Sequence, residues 1–273
     1  MNYLNPALAT CLFELKRSFS FQRMAVTVVL CLFPPTMLLL LILGSKFAEN
    51  GQIPTEMVDY STFLSVFLVA LVVLLSLLLW ATPNVYSELE GKSWSFVASR
   101  PGGRISVYLG KFLASVVVSY GIAFIAATAC VILQKVLLNI LEPMKIWLSM
   151  NLVFFLASLI YSALFSTIGT IFIKRAMLVG AAFLIGFDVI LGLMPNAIIN
   201  KLTVRFHLQE IGVGTMGWFF PTDIGPESEY RQIFGEAWPT WVHVLVVLGA
   251  TVALMAFGIY VIVKREYVTA DET

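Results

Sequence analysis

Six stretches of the chain are apolar for the length of a bilayer crossing: Met24–Gly44, Ser61–Thr82, about Phe112–Leu133, Ile146–Ile173, Met177–Met194 and Trp241–Val263. A run of roughly 20 apolar residues crosses the hydrocarbon core as a helix. None of the six alternates over about ten residues, as a barrel strand does. The pattern therefore predicts an all-α integral membrane protein with six transmembrane helices, organised as one transmembrane domain over residues 1–273. Residues 5–22 read differently. Asn5 is placed to cap a helix with Pro6 at its first position. Leu8, Leu12, Leu15 and Phe19 then share one face, and Thr10, Glu14 and Arg17 the other. Such a helix lies in the membrane surface. Its charges, with Arg23 and no small-residue cleavage site after the first run, set it apart from a cleavable signal peptide.

Between the spans, three places break the pattern. Pro34–Pro35 removes two backbone donors inside the first span and is expected to bend it. Residues 84–104 are polar and compatible with a helix. Residues 195–240 form the longest connection, with Ile198, Ile199, Leu202 and Phe206 predicted on one side of a helix. The aromatic cluster Trp218, Phe219 and Phe220 follows, suited to headgroup depth. We expect membrane-associated external helices there, ahead of the sixth span.

Composition removes the soluble alternatives. Hydrophobic residues are 59% of the chain and charged residues 12%, against about 45–50% and 25% in soluble domains. Mean hydropathy is +0.91. The net charge of +1 leaves no basic surplus for phosphate neutralisation, so nucleic acid is not an expected partner. With the N terminus inside, cytoplasmic segments hold 11 of the 17 basic residues, among them the short turn Lys174–Arg175. The rule that inner loops are basic then predicts a multi-pass protein of the cell (inner or plasma) membrane with both termini cytoplasmic.

Little catalytic chemistry is present. Cys11, Cys31 and Cys130 have no paired spacing, and His207 and His243 stand 36 residues apart, so no metal site is expected. Gly91-Lys92-Ser93 resembles the end of a phosphate-binding loop, but the first glycine that loop needs falls at Tyr86. Glu227 and Glu229 read as a solvated face rather than a catalytic pair. We expect no enzyme activity and no cofactor on this chain. Asp188 is the one acidic residue deep in a predicted span, 11 residues beyond Met177 and so about 16 Å into the bilayer. Three readings stand: a carboxylate facing the bundle interior or a partner subunit and satisfied by a hydroxyl, backbone or water, a lining of a substrate path, or a proton relay.

The segment Ser87-Glu88-Leu89-Glu90-Gly91-Lys92-Ser93-Trp94-Ser95-Phe96-Val97-Ala98-Ser99-Arg100-Pro101, followed by Arg104 and Gly110-Lys111, resembles the membrane subunit of ABC-2 type transporters. That family has here an acidic stretch running into Gly, an apolar turn, a Ser/Thr-Arg/Lys-Pro bend and a basic Gly-Lys pair before the third span. Glu88, Gly91, Ser99, Arg100, Pro101 and Lys111 stand in those places. Lys92-Ser93-Trp94 departs from the Thr-Leu-type residues usual there. The resemblance implies a dimerising export permease, paired with a second copy or a paralogue. It also implies two copies of a separate ABC ATPase subunit, which bind the ATP. The coupling helix would carry Glu88, Gly91, Trp94, Val97 and Arg100. A helix with Trp94 and Val97 on one side suits a groove on a soluble partner. The competing readings are a membrane scaffold or accessory subunit that moves no substrate, and a secondary carrier.

Overall fold

A computed structural model describes residues 4–48, 57–83, 85–90, 93–191, 200–216 and 238–267. Among these the chain is helical, with no strand. Five helices are long and apolar enough to cross a membrane: α2 (Phe21–Ala48), α3 (Met57–Trp80), α6 (Gly103–Leu138), α7 (Pro143–Ile171) and α10 (Thr240–Lys264). Shorter helices join them. These are α1 (Leu4–Ser18), α4 (Tyr86–Glu90), α5 (Trp94–Ser99), α8 (Ala176–Phe183) and α9 (Val204–Met216). A π-helical stretch, Leu184–Leu191, continues α8. The expected fifth span, Met177–Met194, is described up to Leu191, within a helical run of 16 residues that starts at Ala176. The rest of it lies outside the described residues.

The centre of the bundle is α7. Of its most apolar window 72% is buried, against 33% for α2 and 22% for α10. Close packing around it depends on small side chains. Ala123, Ala126, Ala127 and Cys130 of α6 are fully buried among Val69, Val73 and Leu77 of α3 and Met150 and Phe154 of α7. Small residues let helix backbones approach where lipid supplies no hydrophobic drive. Polar pairs add specificity across the same surfaces. Gln134 donates to Ser61 and Thr62 at 3.2 and 3.1 Å, and Ser115 bonds Ser162.

Helix α1 docks on the start of α6 in an orientation that its polarity pattern did not make plain. Its buried positions are Ala7, Cys11 and Glu14, while Leu8, Leu12 and Phe13 are exposed. The small and acidic face meets protein, and the apolar face points away from it. Gly110 makes the approach feasible, since a Cβ there would stand 2.6 Å from both the Ala7 carbonyl oxygen and the Thr10 Cβ. The helix ends at Ser18 and α2 begins at Phe21, three residues before the predicted Met24. Helix α2 continues through Pro34 and Pro35, both buried.

In the connection 195–240, Leu202 is 70% exposed and Phe206 is 4% exposed. They do not share a face, because a short 3-10 turn, Asn200–Leu202, precedes α9 rather than one continuous helix. Helix α9 is inserted against α7 and α10, with Phe206, His207, Leu208, Glu210 and Ile211 buried. Trp218, Phe219, Phe220, Glu227 and Glu229 lie outside the described residues.

Candidate functional site

The polar chemistry gathers at the end of the bundle where α1, α4 and α5 meet the start of α6. Pro101 limits α5. Arg100, before it, takes the extended conformation (φ −83, ψ 135) that a following proline favours. Gly102 then turns the chain at φ 72, and Gly103 passes under the Val97 carbonyl oxygen, which would stand 2.2 Å from a Cβ. This tight reversal folds α5 back onto the first turns of α6 and brings Glu88 over Lys111.

Lys111, whose side chain is 4% exposed, is the hub. Its Nζ stands 2.6 Å from Glu88 Oε1 and 3.4 Å from Glu14 Oε1, and it donates to Ser87 Oγ at 2.6 Å. Ser93 Oγ donates to the second oxygen of Glu88. Burial by itself would raise the Glu88 carboxyl, but the Lys111 ammonium and the Lys111 and Ser93 hydrogen bonds outweigh it and hold the group below its ordinary value. Arg17 lies 3.8 Å from Glu14, and Trp80 Nε1 donates to Ser18 Oγ at 3.1 Å. The Trp80 bond ties the end of α3 to α1, beside one charged cluster that joins α1, α4 and α6. Beside it is a cavity of about 220 Å³ bordered by Arg17, Arg23, Trp80, Tyr86 and Glu90.

Trp94 sits on the inner side of the same segment and not on its outer face. It is 3% exposed, meets Tyr267 edge to face at 5.0 Å between centroids, and has the Arg104 guanidinium 5.9 Å from its ring. Val85, Tyr108 and Ile262 complete the cluster. Arg104 also donates to the Val263 carbonyl oxygen at 3.1 Å, so the end of α10 closes over α5 and α6. The ring that the sequence offered to a partner is an internal fastener. The aromatic residue on the outer face is Phe96, 71% exposed. Two positions apart on a helix means about 200° of rotation, so Trp94 and Phe96 face opposite ways. Val97 is half-buried and Arg100 exposed; Gly91 lies outside the described residues.

Asp188 is 2% exposed and stands on the π-helical stretch. Tyr161 donates its hydroxyl to Oδ2, and the Arg205 backbone N–H donates to Oδ1 at 3.1 Å. The carboxylate therefore caps the N terminus of α9 from a neighbouring segment. It also borders a cavity of about 370 Å³ between α7, the π-helical stretch and α10.

The two histidines, distant in sequence, meet in the fold. His207 Nε2 lies 2.9 Å from the Lys201 carbonyl oxygen, which can only accept, so that nitrogen carries the proton. Nδ1 of neutral His207 then accepts from His243 Nδ1–H across 2.9 Å. Burial, then the adjacent His243, push the His207 imidazole below its ordinary value. Among the described residues no three His, Cys, Asp or Glu side chains form a metal-binding group.

Compared with known proteins, the chain matches no family model and no curated protein.

Proposed function

We propose that this chain is the permease subunit of an ABC-2 type exporter, driven by two copies of a separate ATPase subunit docked on the α4–α5 end. It crosses the cell membrane six times, with both termini and the α4–α5 segment in the cytoplasm, and it pairs with a second permease. The observation that carries this reading is the Lys111 cluster. A segment that receives force from a partner must be tied to the spans it moves, and Glu88, Ser87, Lys111 and Glu14 tie α4 to α6 and α1. The sequence resemblance over 87–111 supports the same assignment.

The outer face of the segment is the docking surface, with exposed Phe96 and Arg100 as its aromatic and cationic contacts. Trp94 acts behind it by fastening the segment to α10. The test is whether a Walker-type ATPase is encoded beside this chain, followed by co-purification and ATP hydrolysis with it. Purified alone the chain should hydrolyse no ATP. Mixed with its partner, it should change the partner's turnover, and Phe96→Ala should weaken capture. Capture and turnover unaffected by both Phe96→Ala and Arg100→Ala would leave the segment an ordinary connector and remove this reading.

A further inference from the structure

The 370 Å³ cavity is walled almost entirely by apolar side chains: Ile160 and Leu164 of α7, Phe183 and Phe187, and Ala253 and Phe257 of α10. Its polar wall group is Asp188. We infer that this cavity is a binding site for an apolar molecule carrying one hydrogen-bond-donating head, an alcohol or an amine, with the head received by Asp188. The inference deepens the permease reading, on which any part in transport rests; binding itself does not depend on it.

Three observations converge on the site. The first is chemical. An ionised carboxylate is acceptor-only, with about four lone-pair positions. Tyr161 and the Arg205 amide occupy two of them. Acceptor capacity remains, on a wall with no other polar side chain among its described lining. A ligand that can only accept, or that is itself anionic, gains nothing there and meets like charge.

The second observation is the backbone. Leu184–Leu191 is π-helical, and such stretches are rare and concentrate at functional sites. The wide turn brings Asp188 level with the start of α9, so one carboxylate can cap that helix and still border the cavity. Stacked Phe183 and Phe187, 5.1 Å between centroids, make a flat wall beside it.

Size and access supply the third. A cavity of about 370 Å³ lies at the small end of the range for ligand pockets, roughly 300–1,000 Å³. Small residues of α10, Ala250 and Ala253, keep it open, and half-exposed Phe257 stands at the outward-facing side. Ligands enter from the lipid, so an apolar body is required as well as a donor head.

The test is photolabelling of the purified chain in lipid nanodiscs, without any ATPase subunit. The probes are diazirine-bearing decanol and decylamine, with diazirine-bearing decanoate as the counter-probe. Decanol and decylamine should label peptides of α7 and α10, and decanoate should do so about tenfold less, equivalent to about 1.4 kcal/mol. Asp188→Asn, which keeps the shape and removes the charge, should bring decanoate to within about twofold of decanol. Ala253→Phe fills the cavity without touching Asp188 and should abolish labelling by all three. Equal labelling of wild type by decanol and decanoate would overturn the inference, as would labelling unchanged in a monodisperse Ala253→Phe protein. The wild-type comparison needs no variant, so a poorly folding Asp188→Asn protein does not shelter the proposal. Failure of ATPase stimulation with labelling intact would count against the permease reading alone.

Discussion

Lys111 concentrates the energetics of the α4–α5 end in one side chain. Its ammonium is nearly solvent-free, while the carboxylates of Glu14 and Glu88 keep 12% and 15% exposure. Removing one partner of a buried ion pair costs about 3–5 kcal/mol, because the other charge is stranded. Water reaching the two carboxylates limits this, so Lys111→Met should lose about 3 kcal/mol or somewhat less, read as a lower unfolding temperature in detergent. Glu88 gives the same contact a pH dependence. Its folded value is depressed, so its contribution is full above the unfolded carboxylate value of about 4.3 and is lost as pH falls through the folded value. In Glu88→Gln that acid limb should flatten; an unchanged limb would assign it to other carboxylates. His207 gives a second window, with Glu210 pulling weakly the other way. Because folding lowers its affinity for protons, the unfolded chain protonates first and stability falls as pH drops through about 6.5. Thermal unfolding measured from about pH 7 to 5 should reveal this fall, and His207→Gln should reduce it. Neither partnership was legible in the sequence. Lys111 and Glu14 were visible as charges in separate elements, and the histidines are 36 positions apart; only tertiary folding brings them together. Asp188 was legible, because a carboxylate in an apolar run demands a partner wherever it lies.

At the scale of the element, α5 separates a packed face from an exposed one within six residues. Trp94→Ala empties a ring site enclosed by Tyr108, Ile262 and Tyr267, and large-to-small changes of an aromatic in a core cost about 3–5 kcal/mol. Phe96→Ala removes an exposed ring and should leave unfolding within about 0.5 kcal/mol of wild type. Partner capture should show the reverse order, with Phe96→Ala lowering it directly in a protein that remains well folded. A Phe96→Ala protein as unstable as Trp94→Ala would mean that the two faces are misassigned. Periodicity located the segment but could not say which face is internal, since a helix this short carries too few positions to define a stripe. The same limit applied to α1. Its leucines predicted the apolar face, but its contact with α6 depends on Ala7, Cys11 and the missing side chain of Gly110, which hydrophobicity does not mark. Long runs such as α3 and α7 were predicted well, because their length and uniform apolarity permit no other structure in lipid.

For the whole molecule, the contacts bear on the number of crossings. Tyr267, beyond the end of α10, donates to the Thr170 carbonyl oxygen at 3.1 Å, so α7 and α10 finish at the same end of the bundle. Trp94 against Tyr267 and Glu14 beside Lys111 bring α5 and α1 to that end too. At the other end, Gly214 of α9 meets Thr240, where α10 starts. A chain that leaves α7 at one end and begins α10 at the other has to climb the bundle between them, and α8 with its π-helical continuation is the first part of that climb. This fits the proposed sixth crossing, with α1 and the end of α10 at one end of the bundle. In the proposed topology that end lies in the cytoplasm, where the charge rule would put the basic turn Lys174–Arg175. Cysteine labelling tests both statements. Cys11, Cys31 and Cys130 are buried, so background should be low. Lys145 and Lys174 are exposed at opposite ends of α7, which is 29 residues or about 43 Å long. A membrane-impermeant thiol reagent applied to intact cells should label Lys145→Cys and spare Lys174→Cys, Lys16→Cys and Lys264→Cys until the cells are opened. Labelling of Lys264→Cys but not Lys16→Cys would mean an odd number of crossings, and labelling of Lys174→Cys but not Lys145→Cys would invert the protein in its membrane and place the α4–α5 surface beyond the reach of a cytoplasmic ATPase.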